Sequence, residues 1–119
     1  MAQRETTNGD LRTPVVFYEP MLEAGLHGRD AANAEVFRTF AMVYGPSLKD
    51  VELATGKGVK ASLTIKIRDP LDTYAPKNNH FVEVIDRRMG GQKLGIVDIR
   101  PAFDERDFLV IVLGGGKVE

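Results

Sequence analysis

The residues best suited to catalysis or metal binding are few and scattered. The two histidines, His27 and His80, have no companion ligand at a spacing that metal sites use, so each is predicted to be a surface or structural histidine. Divalent-cation or general acid–base chemistry would need carboxylates that converge in a pocket. The one acidic cluster is typical of a solvated turn between strands, and consists of Asp98, Asp104, Glu105 and Asp107. We expect no metal, no cofactor and no catalytic residue.

The sequence also lacks the usual patterns of a catalytic nucleophile and of a phosphate-binding loop. The chain has no cysteine, which excludes a thiol nucleophile, a disulfide framework and a cysteine zinc site. Ser47 and Ser62 stand in no nucleophile-elbow sequence. The glycine–lysine segment 55–58 follows a predicted helix, whereas a phosphate-binding loop leads from a strand into a helix. We therefore expect a protein that is not an enzyme.

The size and charge of the chain further limit the classes of protein to which it could belong. The chain has 119 residues, 43% of them hydrophobic, which suits one core. Lys+Arg number 16 against 17 Asp+Glu, so no basic surplus favours tight nucleic-acid binding by a monomer. The first ten residues are polar and unlike a signal peptide, and no apolar run is long enough to span a membrane. We expect synthesis in the cytosol and no membrane contact.

Short apolar runs punctuated by glycine, proline, asparagine and aspartate predict an all-β protein. The clearest strand is Ser62–Arg68, where Leu63, Ile65 and Ile67 alternate with polar residues. The other strands are predicted over Arg12–Glu19, Val36–Tyr44, His80–Arg87, Lys93–Ile99 and Phe108–Leu113. The expected fold is a small antiparallel β-barrel or sandwich of about six strands. It forms one domain, 11–113, between flexible tails at 1–10 and 114–119.

The long segment Gly45–Ala61 interrupts this sheet after the second strand. Ser47 to Ala54 is predicted to be a short helix, capped by Ser47 with Asp50 as the reciprocal capping-box partner. Excursions of this size are usually functional or disordered, so we expect a mobile polar segment on a rigid core.

The run Phe108–Leu113 has no polar face, so it is expected to be central in a closed barrel or covered by another subunit. The interface that this reasoning predicts comprises Val15, Phe17, Phe108, Val110 and Val112.

The order of these features resembles the head-closure, or head–tail connector, proteins of long-tailed bacteriophages and prophages. The resemblance spans nearly the whole chain after residue 10. The pieces that carry it are Asp10–Phe17, Phe40–Asp50, Leu63–Arg68, the Tyr74–Asn79 loop, Phe81–Val84, Gly95–Ile99 and Phe108–Leu113.

This resemblance implies a β-barrel that assembles as a homo-oligomeric ring beneath the phage portal and adaptor. The ring closes the channel over packaged double-stranded DNA by steric contact and gives a platform to the tail terminator or tail tube. The chain would then move from the host cytoplasm to the head–tail junction of the virion. The channel-facing stopper implied by the resemblance comprises Pro46, Ser47, Lys49, Asp50, Thr55, Gly56, Lys57, Gly58 and Lys60.

Two alternatives stay open at this point. One is a tail-completion or terminator component, which keeps the structural role but changes its position in the particle. The other is a small β-barrel module that binds nucleic acid or peptide, in which exposed aromatic side chains would stack on bases. The aromatic residues of the predicted strands fit a core better than a stacking surface.

Overall fold

The computed structural model of this chain describes residues 8–20, 33–102 and 107–117. Within them the chain forms six strands and one α-helix. In chain order these are β1 (Thr13–Pro20), β2 (Asn33–Tyr44), α1 (Leu48–Gly56), β3 (Val59–Arg68), β4 (Phe81–Val84), β5 (Lys93–Pro101) and β6 (Phe108–Lys117). Short 3₁₀ turns occur at Asn8–Asp10 and Arg87–Met89. The predicted all-β class, with a helical insert after the second strand, is confirmed.

The six strands close on themselves in the order β1-β2-β3-β6-β5-β4, with β4 pairing back to β1. Every pairing is antiparallel. Each strand therefore has a neighbour on both sides, although β2 pairs with β3 only over Ala41–Tyr44. The closed arrangement protects the backbone groups that an open sheet would expose at its edges.

Side chains that alternate inward fill the barrel. In β3, Ile65 and Ile67 are fully buried inside the barrel, as their period-two pattern predicts. The remaining buried members of this core are Val15, Phe17, Ala41, Val82, Val84, Leu94, Ile96, Ile111 and Leu113. The buried run in β6 lies between β3 and β5, as expected for a central strand of a closed barrel.

One group of rings continues the core into the loop between β3 and β4. Tyr74 stacks on Phe37 with ring centroids 4.8 Å apart and lies 5.2 Å from the ring of Phe17. His80 also stacks on Tyr74 with ring centroids 5.6 Å apart, and its Nδ1 lies 2.6 Å from the Tyr74 hydroxyl. His80 is thus a structural histidine, 5% exposed.

Strand boundaries differ from the prediction mainly around the glycines of β6. The expectation of a flexible tail from residue 114 is wrong, because β6 continues to Lys117 and pairs with the start of β3. A Cβ at Gly114 would lie 2.6 Å from the Lys60 carbonyl oxygen, so glycine is needed for the close approach of two strands. Residues 118–119 lie outside the described residues.

At the other end of the chain, residues 1–7 of the predicted tail lie outside the described residues, and Asn8–Asp10 forms a 3₁₀ turn. Most of the predicted connection between the first two strands, 21–32, also lies outside them. The strand predicted over His80–Arg87 is shorter, because β4 ends at Val84 and Arg87 belongs to the following 3₁₀ turn. Among the described residues there is no helix with the length and hydropathy needed to cross a bilayer.

Candidate assembly surface

Helix α1 begins at a complete capping box. The Ser47 hydroxyl accepts a hydrogen bond from the Asp50 backbone N–H at 3.1 Å, and the Asp50 carboxylate accepts one from the Ser47 backbone N–H at 3.2 Å. Each bond satisfies a backbone donor that has no partner within the helix. The predicted helix start and the reciprocal role of Asp50 are confirmed.

The same carboxylate fastens α1 to the wall of the barrel. Asp50 is 1% exposed. Its Oδ1 accepts a hydrogen bond from Arg100 Nη2 on β5 at 2.7 Å, and its Oδ2 accepts one from Thr64 Oγ1 on β3 at 3.0 Å. Arg100 Nη1 also donates to Asp98 Oδ2 at 3.1 Å. We refer to Asp50, Thr64, Asp98 and Arg100 as the anchor network.

The anchor network shifts the pKa of Asp50 and of Arg100. Burial raises the pKa of Asp50, but the hydrogen bonds from Arg100, Ser47 and Thr64 together outweigh it and hold that pKa below its usual range. The hydrogen bond to Asp50 correspondingly raises the pKa of Arg100. Because the carboxylate is ionised at neutral pH and fully engaged, it serves as an attachment point and not as a proton donor.

A small apolar contact supports the ion pair. Ala54 is fully buried against Val97 of β5 and Val112 of β6, and Leu53, Val59 and Ala61 pack at the margin of this cluster. Lys57, the C-cap residue, donates from Nζ to the carbonyl oxygen of Val97 at 2.5 Å. Helix α1 therefore lies flat against the outside of β3, β6 and β5.

The opposite side of α1 faces away from the barrel. Leu48, Val51, Glu52 and Thr55 recur at helical spacing and share this side, which we call the outer face of α1. Leu48 is 76% exposed and Val51 is 40% exposed, so two apolar side chains one turn apart lie on the surface.

These contacts correct the predicted mobile stopper segment. Residues 48–56 form the anchored helix and Lys60 is part of β3. Asp50 is buried and Pro46 is partly buried. The segment is held because Asp50 meets Arg100, 50 residues further along the chain. The remaining stopper residues lie on the surface, namely Ser47, Lys49, Thr55, Gly56, Lys57, Gly58 and Lys60.

The predicted subunit interface is also wrong at the residues named for it. Val15 and Phe17 are fully buried inside the barrel, and Val112 is fully buried beneath α1. Phe108 and Val110 are 6% and 8% exposed. The guanidinium of Arg68 lies 5.2 Å above the Phe108 ring. The chain covers both faces of β6 itself, which leaves these side chains out of a neighbour's reach.

A different part of the wall carries the exposed apolar side chains. Pro14 of β1 pairs with Phe40 of β2, and the backbone N–H of Ile85 donates to the Pro14 carbonyl at 2.9 Å. Each is followed or preceded in the chain by a buried core residue, so all three point outward. Phe40 is 55% and Ile85 46% exposed. We call these three residues the apolar row. The sequence indicates this orientation, because side chains alternate along a strand and the residue next to Phe40 is Ala41, which points inward.

A cavity of about 340 Å³ opens beside the segment that leads into α1. Val43, Leu63, Val84 and Met89 form its apolar lining, and the ion-paired Asp86 and Arg88 stand at its rim, 3.0 Å apart. The hydrogen bonds of Arg88 hold the pKa of Asp86 at about 2. Among the described residues, the titratable side chains that line this cavity are Tyr44, Asp86 and Arg88.

The other described residues singled out for chemistry, His80, Asp98 and Asp107, form no common site. His80 is enclosed by the ring group, and His27 lies outside the described residues. Asp98 is bound to Arg100, Asp107 is exposed, and Asp104 and Glu105 lie outside the described residues. Within the described part of the chain, no group of histidine and acidic side chains is placed to hold a metal ion.

Comparisons with known proteins give a fold and no family. No family model matches the chain, and no curated protein matches it. A solved structure that resembles it is the solution structure of protein SF1141 from Shigella flexneri 2a, with a TM-score of 0.59 and 18% sequence identity. The match covers 96% of this chain and all of that one. At this identity the similarity establishes a shared fold.

Proposed function

We propose that this protein is a head–tail connector of a tailed bacteriophage or prophage, acting as a ring subunit that closes the DNA channel and receives the tail. The observation that carries the proposal is a closed all-β barrel with one helix inserted between β2 and β3 and displayed on its outer wall. The barrel and the position of the insert after the second strand agree with what the sequence resemblance implies for such connectors, whereas the anchored helix replaces the mobile segment expected there.

The part of the insert that we propose to face the channel is shorter than the sequence suggested. Asp50 acts as the anchor of α1, and the exposed C-terminal end of the helix with the turn after it is the part available to the channel. Thr55 and Gly56 end the helix, Lys57 and Gly58 form the turn, and Lys60 follows at the start of β3. Copies around an axis would bring these turns together, so that bulk and not tight binding would obstruct DNA.

Near-neutral charge agrees with this mode of closure. Tight gripping of duplex DNA requires many cationic contacts with phosphates, whereas the chain has a formal net charge of −1. The two exposed lysines near the turn, Lys57 and Lys60, are offset elsewhere by acidic residues. A plug built from repeated small turns needs no greater charge.

Phage heads assembled without this chain test the proposal. We expect such heads to lose packaged DNA and to fail to join tails, and added wild-type chain to restore both. Light scattering should detect binding of the purified chain to portal–adaptor assemblies of the same phage. Heads that keep their DNA and join tails without the chain would overturn the proposal. Imaging that places the chain at the far end of the tail tube would replace it with the tail-completion role.

A further inference from the structure

We propose that neighbouring copies of this chain contact one another head to tail, with the outer face of α1 on one copy packed against the apolar row of the next. This inference rests on the proposed ring and specifies which surfaces build it. A ring requires two different patches on each subunit, since a single self-complementary patch closes a dimer.

The two surfaces lie on opposite sides of the barrel. In the cyclic order β1-β2-β3-β6-β5-β4, three steps separate β1 from β6. The apolar row centres on β1, because Pro14 lies between Phe40 of β2 and Ile85 beyond β4. Helix α1 covers β3, β6 and β5, centred on β6 through Val112. Opposite placement allows each subunit to contact one neighbour on each side.

Both surfaces present apolar side chains that the chain itself leaves uncovered. Phe40 and Ile85 are 55% and 46% exposed on one side, and Leu48 and Val51 are 76% and 40% exposed on the other. Among the described residues, the one other large apolar side chain with comparable exposure is Leu71, at 76%. Exposed apolar side chains gathered into patches are typical of interaction sites.

The closed barrel leaves little sheet edge for a neighbour's strand. Every strand is paired on both sides for part of its length, and the main exception among the described residues is residues 33–40 of β2, which pair with β1 but not with β3. The exposed apolar side chains instead favour contact through the outer walls. Helix α1 is suited to this role because its other side is fixed by the anchor network.

Charge favours a second copy as the occupant. Four arginines lie near the apolar row in the chain, namely Arg12, Arg38, Arg87 and Arg88, against three carboxylates, Glu35, Glu83 and Asp86. Glu35 and Asp86 pair with Arg38 and Arg88, so the rim of the row has a surplus of one positive charge. On the outer face of α1 the charged residue is Glu52, with Lys49 on the flank of the helix. The acidic Glu52 among apolar side chains on one surface thus complements the small positive surplus around apolar side chains on the other.

Disulfide trapping in this cysteine-free chain tests the contact directly. Phe40→Cys and Val51→Cys are made as separate single variants, distinguished by mass, mixed in equal amounts and oxidised. A short bismaleimide repeats the experiment with a looser distance requirement, because disulfides demand close Cβ atoms. Both positions are surface positions, and unfolding curves verify that each variant folds like the wild type.

We expect the mixed F40C–V51C product to exceed the homodimers several-fold, whereas random collision gives as many mixed dimers as homodimers. The matched control is Leu71→Cys, an exposed apolar position outside both surfaces, which should give the random ratio with either partner. The double variant F40C/V51C should form ladders or rings. A random ratio for the mixed pair, or an equal excess with L71C, would overturn the assignment. Binding to portal–adaptor assemblies is measured separately. A negative trapping result would therefore overturn these contact surfaces without overturning the proposed ring.

Discussion

Arg100 Nη2 lies 2.7 Å from Asp50 Oδ1, so one ion pair joins the inserted helix to strand β5, 50 residues away in sequence. The Asp50 side chain is 2% exposed and that of Arg100 is 33% exposed. The anion is therefore buried while the cation retains contact with water. Together with the contact at Ala54, this pair sets where the outer face of α1 stands on the barrel.

Replacing Asp50 by asparagine should loosen α1 without unfolding the barrel. Removing one partner of a buried ion pair costs about 3–5 kcal/mol, and the partial exposure of Arg100 places this case nearer about 2 kcal/mol. Urea unfolding measures the loss. Hydrogen exchange should show faster exchange of the α1 amides and of the Thr64 region, while the amides of β1 and β4 keep their protection.

Asp98→Asn is the matched control, because it removes the other carboxylate bound to Arg100 at 3.1 Å. The Asp98 side chain is 30% exposed, so we expect a change of less than about 1 kcal/mol. Equal losses for the two variants would show that α1 is not held by Asp50.

The period-two pattern of β3 and the runs of β-forming residues were enough to predict the strands. In a strand the side chains point alternately inward and outward, so the pattern can be seen in neighbouring residues. The capping box was likewise predictable, since Ser47 and Asp50 are three residues apart. The end of β6 was not. Three consecutive glycines suggest a flexible tail, and only the partner strand reveals that Gly114 has no room for a side chain.

Substitution of Gly114 by alanine therefore tests whether the chain from residue 114 is a paired strand or a flexible tail. In a strand pressed against Lys60, the added Cβ would lie 2.6 Å from a backbone oxygen and 2.9 Å from Val97 Cγ2. Overpacking of this kind costs about 1–3 kcal/mol. Thermal unfolding should show a clear drop in midpoint. Gly56→Ala has no heavy atom within 4 Å of the new Cβ and should leave the midpoint unchanged or raise it. An unaffected G114A variant would restore the flexible-tail interpretation.

The lowered pKa of His80 makes the stability of the fold depend on pH in the acid range. Burial lowers this pKa below 6.5, the nearby charge of Lys77 adds to the effect, and Glu19 opposes it. The unfolded chain therefore binds the proton first as the pH falls. Stability from the neutral ring is fully present above about pH 6.5 and declines as the pH falls from there to the lower folded-state pKa, by at most about 1.4 kcal/mol per pH unit.

The measurement is the free energy of unfolding from pH 7.5 to 5.5 in wild type and in His80→Gln. Glutamine cannot titrate but can still accept a hydrogen bond from Tyr74, so the variant should be less stable at pH 7.5 yet lose less on acidification. Identical slopes for the two proteins would contradict a neutral, buried His80.

The candidate assembly surface was the least predictable part of the molecule. Val110 and Val112 form an apolar run that suggests a subunit interface, yet α1 and neighbouring side chains cover their side of the sheet. Phe40 was assigned to the core with the other strand aromatics, although it alternates with Ala41, which points inward. Which side of an apolar strand is covered depends on where the insert docks, and that depends on Arg100, far away in sequence.

Two substitutions in α1 should separate folding from assembly. Ala54→Asp places a charge in the fully buried contact with Val97 and Val112, so we expect a loss of about 3 kcal/mol or more in the free energy of unfolding. Leu48→Asp changes a side chain that is 76% exposed, so its effect on stability should stay within about 0.5 kcal/mol. If the outer face of α1 contacts a neighbouring copy, L48D placed in the Val51→Cys variant should lower its mixed-disulfide yield with F40C several-fold at unchanged stability. An undiminished yield would show that Leu48 lies outside the contact, whereas a matching loss of stability would show that it supports the helix.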